Sequence, residues 1–156
     1  MLTKVTKRRF ASGTRRDMGT NTNRKDGLRF ENELCEMLAE YGWWAHDMTQ
    51  SAAGQPADVI AVRCDTAVLI DCKVCARDKF QLSRIEPNQE TAMQLWYDRG
   101  NYWAYFAVKM NDHIYMVHND EIRWLKSHKV TVVSEEYCKK HFKTFGQWID
   151  YMEDKI

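Results

Sequence analysis

The sequence predicts an α/β fold: a mixed β-sheet flanked by helices in three layers, with elements in the order α-β-β-β-α-β-β-α and an α-β-β-β-α-β core. Three observations carry this expectation. Apolar residues recur at three- and four-residue steps ahead of Gly42, two short β-branched runs follow at 59–62 and 67–70, and a proline-led helical segment precedes two more strand-like runs.

Residues 1–25 hold eight basic side chains (Lys4, Lys7, Arg8, Arg9, Arg15, Arg16, Arg24 and Lys25) against Asp17 alone, in a chain whose net charge is only +1. The segment is rich in Thr, Ser, Asn and Gly and poor in apolar residues, which predicts a mobile basic arm at 1–25 ahead of a single domain at 26–156. Such arms bind polyanions, nucleic-acid phosphates above all; a merely solvated tail is the plainer alternative.

The first helix is expected from about Asp26 to Tyr41, with Phe30, Leu34, Met37, Leu38 and Tyr41 on one stripe and Gly42 as its stop. A strand at Trp43–Thr49 and a small-residue loop at Gln50–Ala57 lead to Asp58. Val59–Val62 and Ala67–Ile70 then form a hairpin around Arg63-Cys64-Asp65-Thr66. Pro87 opens a second helix that runs to about Arg99 and closes at Gly100. Strands at Tyr102–Val108 and Ile114–His118, with a turn at Met110–His113, are followed by helical segments near Asp120–Ser127 and Glu135–Met152.

The 156 residues, 44% hydrophobic and 12% aromatic, describe one globular domain. No apolar run approaches the roughly 18 residues of a membrane span, and the basic N-terminus lacks the apolar core of a secretory signal, so no membrane partner and a cytoplasmic, DNA-associated location are expected. Five scattered cysteines form no disulfide framework. Cys72 and Cys75 have CxxC spacing, but residues three apart in a strand face opposite sides, and no organic cofactor or zinc site is expected. The five histidines are dispersed, and Trp43, Trp44, Trp96 and Trp103 lie in core-like patterns that predict packing rather than base stacking.

The chemistry-bearing stretch runs from Asp58 to Lys73. Asp71 and Lys73 alternate with Cys72 along a strand and so share a face, while Asp58 opens the neighbouring strand. Burying two carboxylates with one amine is costly unless a divalent cation held by the acids compensates, and clusters of this kind cut phosphodiesters. Glu31 lies at the border of the first helix's apolar stripe, where it either reaches into the same site or is an ordinary boundary glutamate.

Taken together, Gly27-Leu28-Arg29-Phe30-Glu31, Pro56-Ala57-Asp58 and Asp71-Cys72-Lys73 resemble the PD-(D/E)XK nuclease superfamily, and within it the Holliday junction resolvases of archaeal Hjc and bacterial RecU type. Phe80-Gln81-Leu82 with Ile85, Gln89 and Met93, and the run Tyr105–Lys109, extend the likeness across residues 23–118. Here the acid before the lysine is Asp71 where glutamate is common, and 42–58 is too short for a RecU-type stem.

The resemblance implies a restriction-endonuclease-like fold and Mg²⁺-dependent, structure-selective hydrolysis of branched DNA by a homodimer, with Mn²⁺ as a substitute metal. It implies Asp58, Asp71 and the Cys72 carbonyl as metal ligands, Glu31 completing the site through water, Lys73 orienting the attacking water or offsetting negative charge on the phosphate, and Gln89 aligning Lys73 or water. Ser51 is expected at the scissile phosphate. Arg24, Lys25, Arg29, Arg77, Lys79 and Arg84 are expected along the DNA backbone. A nicking, flap or restriction-type nuclease, or a non-catalytic DNA-binding protein on the same scaffold, are the competing expectations.

Overall fold

The computed structural model describes residues 14–48 and 55–156, with the backbone alone for residues 14–21. Helix α1 (Thr14–Glu40) begins well before the expected Asp26. Once Phe30, Leu34 and Leu38 are buried against the sheet, each residue added at the helix end gains a hydrogen bond without a new nucleation cost. The basic residues 14–25 therefore stand on a helix, whatever their composition suggests. Gly42, at φ +79°, ends α1 as expected: its N–H bonds the Ala39 carbonyl at 3.0 Å and the Trp43 N–H reaches back to Leu38 at 3.1 Å.

Strands β1 (Trp44–Asp47), β2 (Val59–Arg63) and β3 (Thr66–Cys75) form an antiparallel meander. The expected four-residue turn shrinks to Cys64-Asp65, because Arg63 and Thr66 pair with each other; Cys64 takes φ +53° to allow it. After β4 (Lys79–Gln81) and a 3-10 turn, α2 (Pro87–Asp98) crosses the sheet, and β5 (Ala104–Met110) pairs parallel to β3. β6 (His113–His118) returns antiparallel to β5.

Beyond it lie α3 (Asn119–Ser127), β7 (Val132–Ser134), α4 (Glu135–His141), β8 (Lys143–Thr144) and α5 (Phe145–Glu153). The sheet order is β1-β2-β3-β5-β6-β8, and β4 and β7 pair separately. The helix expected over 135–152 is thus two helices. Phe142 is buried in extended backbone, and Thr144 restarts the next helix by accepting the Gln147 N–H.

Two cores result. α1 and α5 cover one face through Phe30, Leu34, Leu38, Trp148 and Met152, against Val59, Val68, Ile70 and Ala107. α2, α3 and α4 cover the other through Met93, Ile122, Leu125 and Cys138, against Leu69, Phe106, Val108 and Val117. Of the adjacent Trp43 and Trp44, the first is buried, but Trp44 is 63% exposed, against the packing expected of it. Neighbouring residues of extended chain face opposite sides, and no described helix covers β1 on the side Trp44 takes.

All five cysteines are free thiols. Among the described residues, no helix is long and apolar enough to cross a membrane.

Candidate active site

The site forms where β2 stops pairing with β3. The Asp58 N–H donates to the Ile70 carbonyl at 3.1 Å, just beyond the Val59–Ile70 pair. From there the Asp58 carboxylate takes the place of a strand partner: Oδ2 accepts the Cys72 N–H at 2.7 Å and Oδ1 accepts from Gln55 Nε2 at 2.7 Å. A strand residue's N–H and C=O lie on the same edge, so the Cys72 carbonyl points into the same gap.

Asp71 and Lys73 project from the same face of β3, the face covered by α2. Lys73 Nζ lies 2.6 Å from Asp71 Oδ2 and donates to Gln89 Oε1 at 3.0 Å. That same Gln89 oxygen accepts the Glu86 N–H at 3.0 Å, so the first turn of α2 fixes the amide that fixes the lysine. Asp71 is 1% exposed, yet neither carboxylate oxygen has a hydrogen-bond donor; the ammonium contact is close but not aligned as a hydrogen bond. Burial pushes its carboxyl up to about 7, Lys73 pulls it down, and the neighbouring Asp58 carboxylate adds to the rise.

Glu31 stands half-buried on α1 and lines a cavity of about 330 Å³ with Arg24, Asp47, Met48, Gln55 and Asp58. Burial, then Asp58, Asp47 and Asp71 in turn, push its carboxyl up to about 7. Asp47 and Gln55 escaped the sequence reading. Asp47 ends a strand too short to separate from its loop by pattern, and Gln55 looked like one polar residue in a small-residue loop.

Among the described residues, no three His, Cys, Asp or Glu side chains converge as a complete cation cage. The donors that meet at the strand ends nevertheless fit Mg²⁺, which takes few protein oxygens and keeps several waters. Asp71 offers two buried oxygens without donors, Asp58 stands beside it, and the Cys72 carbonyl faces the gap.

The expected backbone contacts divide. Arg24, Lys25 and Arg29 are exposed on α1, with Arg24 at the Glu31 cavity, and Arg77 and Lys79 are exposed after β3. The Arg84 guanidinium is instead committed to the end of β3, donating to the Val74 carbonyl at 2.8 Å and to Cys75 Sγ at 3.5 Å. Ser51 lies outside the described residues.

A sequence model of the archaeal Holliday junction resolvase (Hjc) family matches residues 22–143, a span that contains every side chain of the site. Among solved structures, the Archaeoglobus fulgidus Hjc, described as a Holliday junction resolvase from an archaeal hyperthermophile, is similar with a TM-score of 0.58 and 17% identity. The likeness covers 80% of this chain and 96% of that one. It establishes the restriction-endonuclease-like fold. No curated protein sequence matches the chain.

Proposed function

The chain belongs to the archaeal Holliday junction resolvase family, a nuclease family, and from that premise we propose that it is a Mg²⁺-dependent, structure-selective endodeoxyribonuclease that resolves branched DNA as a homodimer. The observation that carries this reading is the buried Asp71 carboxylate without donors, one residue from Cys72 and paired with a lysine that Gln89 holds in place.

In this reading Asp58, Asp71 and the Cys72 carbonyl hold the cation, with Glu31 at the far side of Asp58. Bound there, Mg²⁺ supplies positive charge to the phosphoryl oxygens and lowers the proton affinity of water. Two polar partners already engage Lys73 Nζ, which leaves one of its three N–H donors for a phosphate oxygen or an attacking water. Gln89 keeps that ammonium from rotating away, and its own oxygen cannot swing because Glu86 holds it. Arg24 beside Glu31, with Lys25, Arg29, Arg77 and Lys79, gives phosphate contacts around the site.

The test is cleavage of an end-labelled four-way junction and a matched linear duplex with Mg²⁺ or with chelator. The expected result is paired nicks in the junction only, abolished by chelator and by Asp71→Asn. Equal cutting of both substrates contradicts junction selectivity, and full activity of Asp71→Asn contradicts the site.

A further inference from the structure

Helices α1, α2 and α3 end on the same pair of hydrogen bonds. After α1 the Gly42 N–H bonds the Ala39 carbonyl and the Trp43 N–H the Leu38 carbonyl; after α2 Gly100 bonds Tyr97 at 2.9 Å and Asn101 bonds Trp96 at 3.2 Å. After α3 Lys129 bonds Lys126 at 3.0 Å and Val130 bonds Leu125 at 3.0 Å. This cap demands left-handed backbone at its hinge, and Gly42, Gly100 and Lys129 have φ +79°, +89° and +63°. Glycine fills the first two hinges without steric cost. At the third, a lysine bears the clash between its Cβ and the backbone.

A residue kept where glycine folds better points to a use for its side chain. Lys129 lines a cleft of about 530 Å³, formed where β4 runs into the 3-10 turn and the chain between α3 and β7 passes beside it. The Leu82 N–H donates to the Thr131 carbonyl at 2.9 Å and Gln81 pairs with Val132, so the two walls are fixed against each other. Gln81, Ser83, Lys126, Lys129 and Thr131 give the cleft two ammonium groups, two hydroxyls and a carboxamide, and among the described residues no carboxylate lines it. Glu90 on α2 takes the Lys126 ammonium in an ion pair. The Lys129 ammonium has no partner among the described residues.

We propose that this cleft is a phosphodiester site for the DNA strand leading away from the candidate active site, with Lys129 pairing with a backbone phosphate and Ser83 and Thr131 donating to its oxygens. Position selects a nucleic-acid phosphate over an acidic peptide. Arg84, one residue past Ser83, donates to the Val74 carbonyl at 2.8 Å, at the end of the strand that carries Asp71 and Lys73. One arginine side chain and one backbone step, roughly 10 Å, therefore separate β3 from the cleft. At ~3.4 Å of rise per nucleotide this is about three nucleotides along one strand. The exposed Arg77 and Lys79, between β3 and the cleft in the chain, continue the same basic border. That the ligand is DNA rests on the nuclease reading; the charge and shape of the cleft do not.

The test measures binding of the full chain to a labelled four-way junction and to a linear duplex, in chelator and over a range of salt, with thermal melting of each protein. Lys129→Gly is expected to melt no lower than wild type, since the hinge is relieved. It is nevertheless expected to bind both DNAs ~5–10-fold more weakly, with the slope of log K against log salt reduced by about 1. Lys129→Arg keeps the affinity. Lys155→Ala, which removes an exposed lysine beyond α5 on the opposite face of the sheet, leaves affinity and slope unchanged.

Lys129→Gly binding DNA as wild type does overturns the proposal, whatever its melting temperature. If that variant instead loses only a melting shift produced by inorganic phosphate, the cleft takes a free anion and the DNA assignment falls. An equal loss of DNA affinity in Lys155→Ala also overturns it, because general charge then explains the effect. If wild type cuts no junction while its DNA binding depends on Lys129, the resolvase reading fails and the cleft stands.

Discussion

Asp71 and Glu135 are both buried carboxylates, at 1% and 8% exposure, and the protein treats them in opposite ways. Glu135 accepts from Asn111 Nδ2 at 2.6 Å and from the Tyr115 hydroxyl at 3.0 Å, contacts His113 Nδ1 at 3.1 Å, and has Lys139 at 3.9 Å. Burial alone would raise its carboxyl, but the hydrogen bonds of Asn111 and Tyr115, the Lys139 charge and the His113 contact outweigh it and hold it below the ordinary range. It ties α4 to the β5–β6 turn. Asp71 has one ammonium and no hydrogen-bond donor, and its carboxyl is pushed up to about 7. A satisfied acid staples a fold; an unsatisfied one beside a fixed lysine is arranged for something that binds there.

The largest expected difference between the two acids is in chemistry. Asp71→Asn or Lys73→Ala should lower single-turnover junction cleavage by at least ~10³-fold, while Glu135→Gln stays within ~3-fold at temperatures where it is folded. Stability should follow the reverse pattern. Glu135→Ala leaves the Asn111 and Tyr115 donors without their acceptor and should cost roughly 2–4 kcal/mol in urea unfolding at pH 7.5, against no more than about 1 kcal/mol for Asp71→Asn.

A third difference lies in pH. The folded pKa of Asp71 is above its ordinary 3.8, so its ionisation opposes folding: the penalty is absent below about pH 4, grows toward pH 7 and is complete above it. Glu135 has a folded pKa below its ordinary 4.5, so its stabilisation is present above that value and is lost on acidification. In chelator, raising the pH from 4 to 8 should therefore destabilise wild type relative to Asp71→Asn by on the order of 2 kcal/mol. Lowering it from 6 to 3 should shrink the advantage of wild type over Glu135→Gln. Equal pH profiles for all three proteins would erase the contrast between the acids.

The smallest effect belongs to Gln89→Ala, which frees Lys73 and removes one cap. A ~10-fold slower cleavage with a stability loss of about 0.5–1 kcal/mol is expected.

Much of this contrast was legible in the sequence on one side only. Asp71 and Lys73 are two apart in a strand, which puts them on one face, and Gly42 and Gly100 mark helix ends by the left-handed backbone they supply. Asp58 opens a β-branched run and could be placed beside Asp71 by hairpin register. Glu135 could not be recognised, because its partners Asn111, His113 and Tyr115 are twenty or more positions away and meet it only after β5 and β6 have paired.

The same holds for β4 and β7, three residues each and separated by some fifty positions. The break before α5 was marked locally by Thr144 and Gln147, but the apolar spacing through Phe142 and Phe145 masked it. The early start of α1 ran against composition, since propagation from a packed segment outweighs the low propensity of Thr, Asn and Gly. Asp47 and Gln55 surround Asp58 through chain path alone, which no spacing rule reports.

The central claim is that the Asp58–Asp71 gap is a divalent-cation site and the Glu135 cluster is not. Mn²⁺ titration followed by electron paramagnetic resonance at pH 7.5 tests it without substrate. One bound Mn²⁺ per chain is predicted for wild type and for Glu135→Gln, with affinity reduced at least ~30-fold in Asp58→Asn and in Asp71→Asn. Unchanged binding in both aspartate variants would contradict it.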